Sequence, residues 1–215
     1  MQTTKQLTEA VGGLSKPSKM PGFAYGIPAK DCILGSILRQ KAGSVCSKCY
    51  ALKGMYVFPV VKTAQQKRLD VMRSNPFRWE SNMIDLIALK YRNKKGDARV
   101  FRWHDSGDIQ SVAHLASIVR IARCLPTIRF WLPTRERTMV RDYLAENPRG
   151  FPSNLVVRIS ATMIGQDTAP LSGAVSSTVG AGIGHACPAY KQGGNCGDCR
   201  ACWNNSVVSV DYPLH

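Results

Sequence analysis

The chain has 215 residues, enough for one domain with a substantial core, and its 44% hydrophobic and 20% charged content excludes a disordered polymer. No run of about 18 apolar residues marks a bilayer-spanning helix. Its 29 Lys and Arg against 14 Asp and Glu give a net charge of +15 and a pI of 9.7. The expected partner is therefore a polyanion, nucleic acid or a nucleotide-like substrate, bound through counterion release. The opening run MQTTKQLTEAVGGLSKPSKMPG carries no apolar signal segment. That predicts a reducing cytoplasmic setting, with no membrane partner, in which clustered thiols bind metal rather than each other.

Residues 1–20 are polar, are broken by Gly12, Gly13 and Pro17, and read as a flexible arm. The aromatic, Gly-broken run PGFAYGIP (21–28) reads as a short strand or loop. Residues 63–73 and 76–92 read as helices. In the second, Trp79, Met83, Leu86, Ile87 and Tyr91 recur every three to four residues, with Ser74 or Asn75 as cap and Gly96 as stop. Strand, loop and helix then alternate. ARVFRWH (98–104) is a strand ending at the polar loop Asp105-Ser106-Gly107-Asp108. Residues 111–124 form a helix with Val112, Leu115, Ile118, Val119 and Ala122 on one face, which places Cys124 in the core. TIRFWLP (127–133) is a second strand, 135–147 a helix, and NLVVRISA (154–161) a third strand.

Such units predict an α/β fold of parallel strands joined by helical crossovers, either a partial parallel (β/α) barrel or an open doubly wound sheet. Residues 21–180 would form that body and 181–215 a cysteine-rich C-terminal metal-binding cap. Both architectures place chemistry at the C-terminal ends of the strands. There the chain carries His104, Asp105, Ser106 and Asp108, then Thr134, Arg135 and Glu136, then Ser160 and Thr162. His104 and Asp105 are a candidate acid–base pair and Asp108 a second catalytic carboxylate. Arg135 either pairs with Glu136 or grips a carboxylate or phosphate. Trp103, Trp131 and Trp203 either wall the site or stack on a base. His114, in mid-helix, reads as a solvent or packing residue.

Seven of the eight cysteines fall into two clusters. Cys187, Cys196, Cys199 and Cys202 (CPAYKQGGNCGDCRAC) have two overlapping CxxC turns plus one remote ligand, which favours a [4Fe–4S] cluster over zinc. His185 is an alternative ligand in place of one of them. Cys32, Cys46 and Cys49 supply three ligands and leave a coordination position open, the condition for catalysis; the plain alternative is one CxxC pair plus a buried Cys32.

The runs GSVCSKCYALKGMY, FRWHDSGDIQSVAHLASIVRIA and IRFWLPTRE resemble the phage "gene product 88" family, over roughly residues 15–205. The layout is also similar to radical-SAM-like proteins, in which a Cys…CxxCY segment precedes a strand–helix partial barrel. That resemblance implies a [4Fe–4S] cluster on Cys32, Cys46 and Cys49 with Tyr50 beside it, and an open iron that chelates S-adenosylmethionine. It also implies an external electron donor, and an auxiliary cluster on Cys187, Cys196, Cys199 and Cys202. Ser106, Gly107, Arg135 and Glu136 are the expected cofactor contacts. In place of a contiguous CxxxCxxC loop, thirteen residues separate Cys32 from Cys46, and loop-closure entropy rises slowly with such length. The expected function is a radical-SAM-like iron–sulfur enzyme modifying a nucleic acid or nucleotide in a phage host's cytoplasm. Two alternatives stand beside it: a non-catalytic, zinc-stabilised nucleic-acid-binding protein, and a zinc-containing barrel enzyme acting on nucleobases through Asp105 or Asp108.

Overall fold

Short apolar strands alternate with amphipathic helices, and the computed structural model, which describes residues 2–169 and 171–214, assembles the strands into one open parallel sheet. They are β1 (Phe23–Tyr25), β2 (Val100–Trp103), β3 (Arg129–Thr134), β4 (Leu155–Ser160), β5 (Val175–Val179), β6 (His185–Ala186) and β7 (Ser209–Tyr212), in spatial order β1-β2-β3-β4-β5-β7-β6. The helices are α1 (Thr4–Val11), α2 (Ile33–Leu38), α3 (Pro59–Ser74), α4 (Pro76–Tyr91), α5 (Val112–Cys124) and α6 (Arg137–Glu146).

Strand alternation sorts the side chains onto two faces. Phe101, Trp103, Phe130, Leu132, Leu155, Val157 and Ile159 point to one face and share a single core with apolar residues of α1, α3, α4, α5 and α6. The opposite face holds Val100, Trp131 and Trp203, flanked by Met20, Cys202 and Tyr212, with no α-helix among its buried members. The first five strands thus lie side by side in chain order with α1, α3, α4, α5 and α6 on one side. This is a singly wound arrangement, not the two-sided winding of a doubly wound sheet.

Local chemistry explains most of the elements. Asn75 accepts from the Arg78 N–H ahead of α4, and Ser111 accepts from the His114 N–H ahead of α5. Helix α3 starts earlier than its apolar pattern suggests, because Pro59 occupies its first turn, where a missing N–H costs nothing. Three expectations need correction. The N-terminal stretch read as an arm is a helix: Thr3 and Gln6 form a reciprocal cap, Leu7 and Val11 are buried, and Gly12 closes it at φ 76°. Cys124 is exposed, because α5 buries Ile118, Ile121 and Ala122 instead. Residues past 181 do not stand apart as a cap, since they supply β6 and β7 to the sheet.

Arg158 binds that last segment to the body. Its side chain points from β4 to the face opposite the large helical core and is fully buried. It donates to the carbonyl oxygens of Ser176, Ala201, Cys202, Asn204 and Val207 at 2.7–3.3 Å.

Candidate functional site

On the face opposite the large helical core, parallel register brings side chains into rows: Arg102 beside Trp131, Ser160 beside Ser177, Val179 beside Tyr212. These residues floor a cavity of about 510 Å³ at the C-terminal ends of the strands. Parallel α/β sheets concentrate function at that edge, and the volume suits a ligand of nucleotide size.

The roof is the segment carrying the first cysteine set, clasped to three strand ends. Beyond β2, the Tyr50 and Tyr56 hydroxyls donate to the Asp105 carbonyl (2.8 and 3.2 Å). Beyond β3, Glu136 Oε1 accepts from the Leu34 N–H (2.8 Å). Beyond β4, the Val45 N–H donates to Thr162 O and the Ile164 N–H to Gly43 O. Cys32, Cys46 and Cys49 consequently all line the cavity. A side chain at position 35 would put its Cβ 2.8 Å from Cys32 Cβ and 3.5 and 3.7 Å from the sulfurs of Cys32 and Cys46, so Gly35 keeps this space open between two thiols. Burial pushes both thiols up from their ordinary range; Asp108 and the other cysteines add to this at Cys32, and Arg135 opposes it at both. Metal ligation would favour the thiolates outright. Among the described residues no three His, Cys, Asp or Glu side chains are placed to grip one metal ion. A polynuclear cluster, giving each thiolate its own iron, spaces its ligand sulfurs more widely than one shared ion does, though they must still converge on one core.

The polar turn after β2 lies under this roof. His104 sits at φ 54°, alone among the described non-glycine residues at positive φ, a conformation costing about 1–3 kcal/mol. Burial holds its imidazole neutral, well below its ordinary pKa. Gly107, at φ 83°, lets the turn pass Ile27 where a Cβ would lie 2.3 Å from Ile27 Cγ1. Asp108 accepts from the backbone N–H groups of Ile109 (2.8 Å) and Arg135 (2.9 Å), yet burial raises its carboxyl to about 6. Behind the turn, the Gln110 N–H donates to His114 Nδ1, which places the ring proton of His114 on Nε2. Arg39 Nε, Arg102 Nε, Trp131 Nε1, Ser106 Oγ and both ring nitrogens of His104 are buried without a hydrogen-bond partner among the described residues. All five residues line the cavity. Buried polar atoms are usually paired, and half of the twelve unpaired ones among the described residues belong to residues lining this cavity, which makes it the candidate ligand site.

The second cysteine set lies behind the cavity wall. Cys202 Sγ meets the Tyr212 hydroxyl at 3.2 Å, and burial pushes that thiol up to about 11. Tyr212 faces the cavity too, as does Arg102, whose guanidinium stacks 4.5 Å from the Trp131 ring and donates to Tyr50 Oη (2.9 Å). Arg102 lies close enough to Cys196 and Cys202 to oppose the rise of both thiols. Cys199 Sγ lies 3.5 Å from His185 Nε2, and Cys187 and Cys196 are within electrostatic reach of it.

The structure thus brings together at one cavity Cys32, Cys46, Cys49, Tyr50, His104, Ser106, Gly107, Asp108 and Arg135. Two expected side-chain pairings are absent among the described residues. His104 and Asp105 share no side-chain hydrogen bond, because each sits in a separate buried niche: Asp105 Oδ1 would meet a Cβ at Gly26 at 2.2 Å. Arg135 and Glu136 form no ion pair among the described residues; Arg135 Nε donates to Ala161 O and Glu136 serves the roof. His114 is buried against Trp79 and His104, on the packing side of the alternative given for it. Sequence reasoning passed over Arg102, Arg39 and Tyr212. A lone charge inside the apolar run VFRW was the available signal for Arg102; nothing comparable pointed to the others.

Among the described residues, no helix is long and apolar enough to cross a membrane. The family model described as Gene product 88 matches residues 1–187. No curated protein matches the chain, and no solved structure does.

Proposed function

The chain belongs to the Gene product 88 family, and we propose that it is a radical-SAM-like iron–sulfur enzyme that modifies a nucleic acid or nucleotide. Its catalytic [4Fe–4S] cluster would be held by Cys32, Cys46 and Cys49. The observation carrying this reading is that three cysteines and a turn of unpaired buried polar atoms face one nucleotide-sized cavity at the strand ends. The singly wound sheet supports the partial-barrel form of that fold. When bound, such a cluster supplies an electron, drawn from an external donor, and an open iron able to chelate S-adenosylmethionine.

The side chains divide the remaining work. Gly35 leaves room between the thiols of Cys32 and Cys46, and Arg135 and Arg39 offset thiolate charge. Tyr50 ties the cysteine loop to the polar turn. Ser106 and Gly107 present a hydroxyl and a close backbone to the ligand. Asp108, with its carboxyl near 6, holds or releases a proton at neutral pH. His104, kept neutral, serves as a hydrogen-bond donor or acceptor, not a fixed charge.

Anaerobic isolation followed by iron and sulfide analysis tests this reading. Brown protein carrying iron and sulfide, reduced in Cys46→Ala and Cys49→Ala while Cys199→Ala keeps the catalytic share, is the expected result. Colourless protein with stoichiometric zinc retained in Cys46→Ala overturns it. At the second set, the contact of His185 with Cys199 favours zinc, since structural zinc mixes imidazole with thiolate. If both sets held zinc, the chain would be a metal-stabilised nucleic-acid-binding protein.

A further inference from the structure

Apolar side chains that a folded chain leaves in water need a reason when they cluster. Among the described residues, seven of the twelve exposed large hydrophobics lie between residues 33 and 60: Ile33, Ile37, Tyr50, Met55, Val57, Phe58 and Val60. Exposure reaches 71% at Met55, 53% at Phe58 and 74% at Val60. This is the stretch that roofs the cavity, and Lys48, Cys49, Tyr50 and Ala51 form part of the cavity's own wall. Tyr50 and Tyr56 stand edge to face at 5.7 Å, with both hydroxyls anchored on Asp105 O. The exposed aromatic surface is therefore fixed to the polar turn at the bottom of the site.

The same stretch is strongly basic. Residues 30–62 carry Lys30, Arg39, Lys41, Lys48, Lys53 and Lys62 against Asp31 alone, and the five lysines are exposed. A protein partner matched to the apolar side chains would find only Asp31 here for its own cations. An anionic polymer with flat apolar faces matches both features. Double helices bury those faces in their stack, whereas single strands present them, so aromatic and basic residues interleaved beside a cavity suit an unpaired strand.

We infer that residues 30–62 form a docking platform for single-stranded nucleic acid, which lays backbone phosphates along the lysines and delivers one nucleotide into the cavity. The inference rests on the reading of the substrate as nucleic acid, and it names the strandedness and the surface. DNA and RNA share the chemistry involved.

Fluorescence anisotropy on the full chain, with labelled dT and rU oligonucleotides and a matched DNA duplex, tests it. Expected are tighter binding of the single strands than of the duplex and a steep fall of affinity with salt. Phe58→Ala should weaken binding about tenfold by loss of base stacking. Lys30→Ala combined with Lys48→Ala and Lys53→Ala should flatten the salt dependence by a few phosphate contacts. Lys90→Ala with Lys94→Ala, outside the stretch, should leave binding unchanged. Lys30, Lys48, Lys53, Phe58 and Lys94 are exposed and Lys90 is half-buried, and thermal melts establish that each variant folds. Phe58→Ala should keep the iron content of the wild type, so wild-type binding by that variant strikes this inference alone, while wild-type protein that binds single strands but carries no iron strikes the enzyme reading alone. Equal affinity for duplex and single strand overturns the proposal. So does Phe58→Ala binding like the wild type, whether the patch then proves to mediate self-association in sedimentation or binding to anionic vesicles.

Discussion

The two cysteine-bearing segments flank one wall made by Arg102, Trp131 and Tyr212, and they are held in different ways. The first is clasped at its edges, by hydrogen bonds to strand ends, over a cavity it leaves open. The second is gathered around Arg158, whose buried guanidinium takes five carbonyl oxygens, and around Trp203, which packs on Trp131 at 5.3 Å and donates to Phe101 O. A roof over a binding site must yield to let ligand in, and such segments come from the less stable part of a fold. A segment that completes the sheet has no such duty and can be fixed from within.

The largest effect should come from Arg158→Met. Five carbonyls lose their donor, so the chain should lose about 4 kcal/mol in urea denaturation, and proteolysis should start past residue 186 while iron on the first set persists. Cleavage starting instead at residues 40–60 would reverse the contrast. Acid offers a second separation, because neutral imidazoles underlie the first segment and a permanent cation the second. The His114 pKa falls from 6.5 to about 3 through burial, so its contribution to stability is complete above pH 6.5 and disappears as pH falls toward 3. The stability difference between wild type and His114→Gln should therefore shrink by about 3 kcal/mol from pH 7 to pH 4. Asp108 works in the opposite direction, contributing most below pH 3.8 and fading as pH rises through 6, and it cancels in that comparison.

Gly35→Ala sharpens the contrast at the metal level. Its Cβ would press on Cys32 at 2.8 Å, which should cost about 1–3 kcal/mol and lower the iron bound by the first set, with metal at the second set unchanged. Equal loss at both would mean the sets load together. The smallest effect is expected for Tyr212→Phe, which removes the hydroxyl beside Cys202 for about 1 kcal/mol and leaves the cavity's shape intact. A drop in single-strand binding in that variant would show that the wall reaches the ligand.

Much of this arrangement was legible in the residues. The apolar periodicity of 76–92 and 111–124 and the β-rich runs before His104 and Thr134 appear as α4, α5, β2 and β3, because long, regular patterns leave little choice of period. Helix α1 escaped notice since only Leu7 and Val11 mark its buried side, and its Thr3–Gln6 cap outweighs a polar composition. Strands β5 to β7 are two to five residues long and mix Ser, Thr, His and Asp with few apolar residues, so their place is set by neighbours rather than by their own preference. The strand-end rule located His104 and Asp108, whereas Tyr212 reaches the cavity only through pairing of β7 with β5, a contact across more than thirty residues that no local pattern encodes.

Strand β7 enters the sheet between β5 and β6, and β6 has no other sheet partner. A ribosome releasing this chain therefore exposes the first cysteine loop long before residues 209–212 are available to finish the wall. Any cofactor loaded during synthesis would meet a half-built, solvent-swept chamber, and oxygen protection of that cofactor would begin only with the final strand.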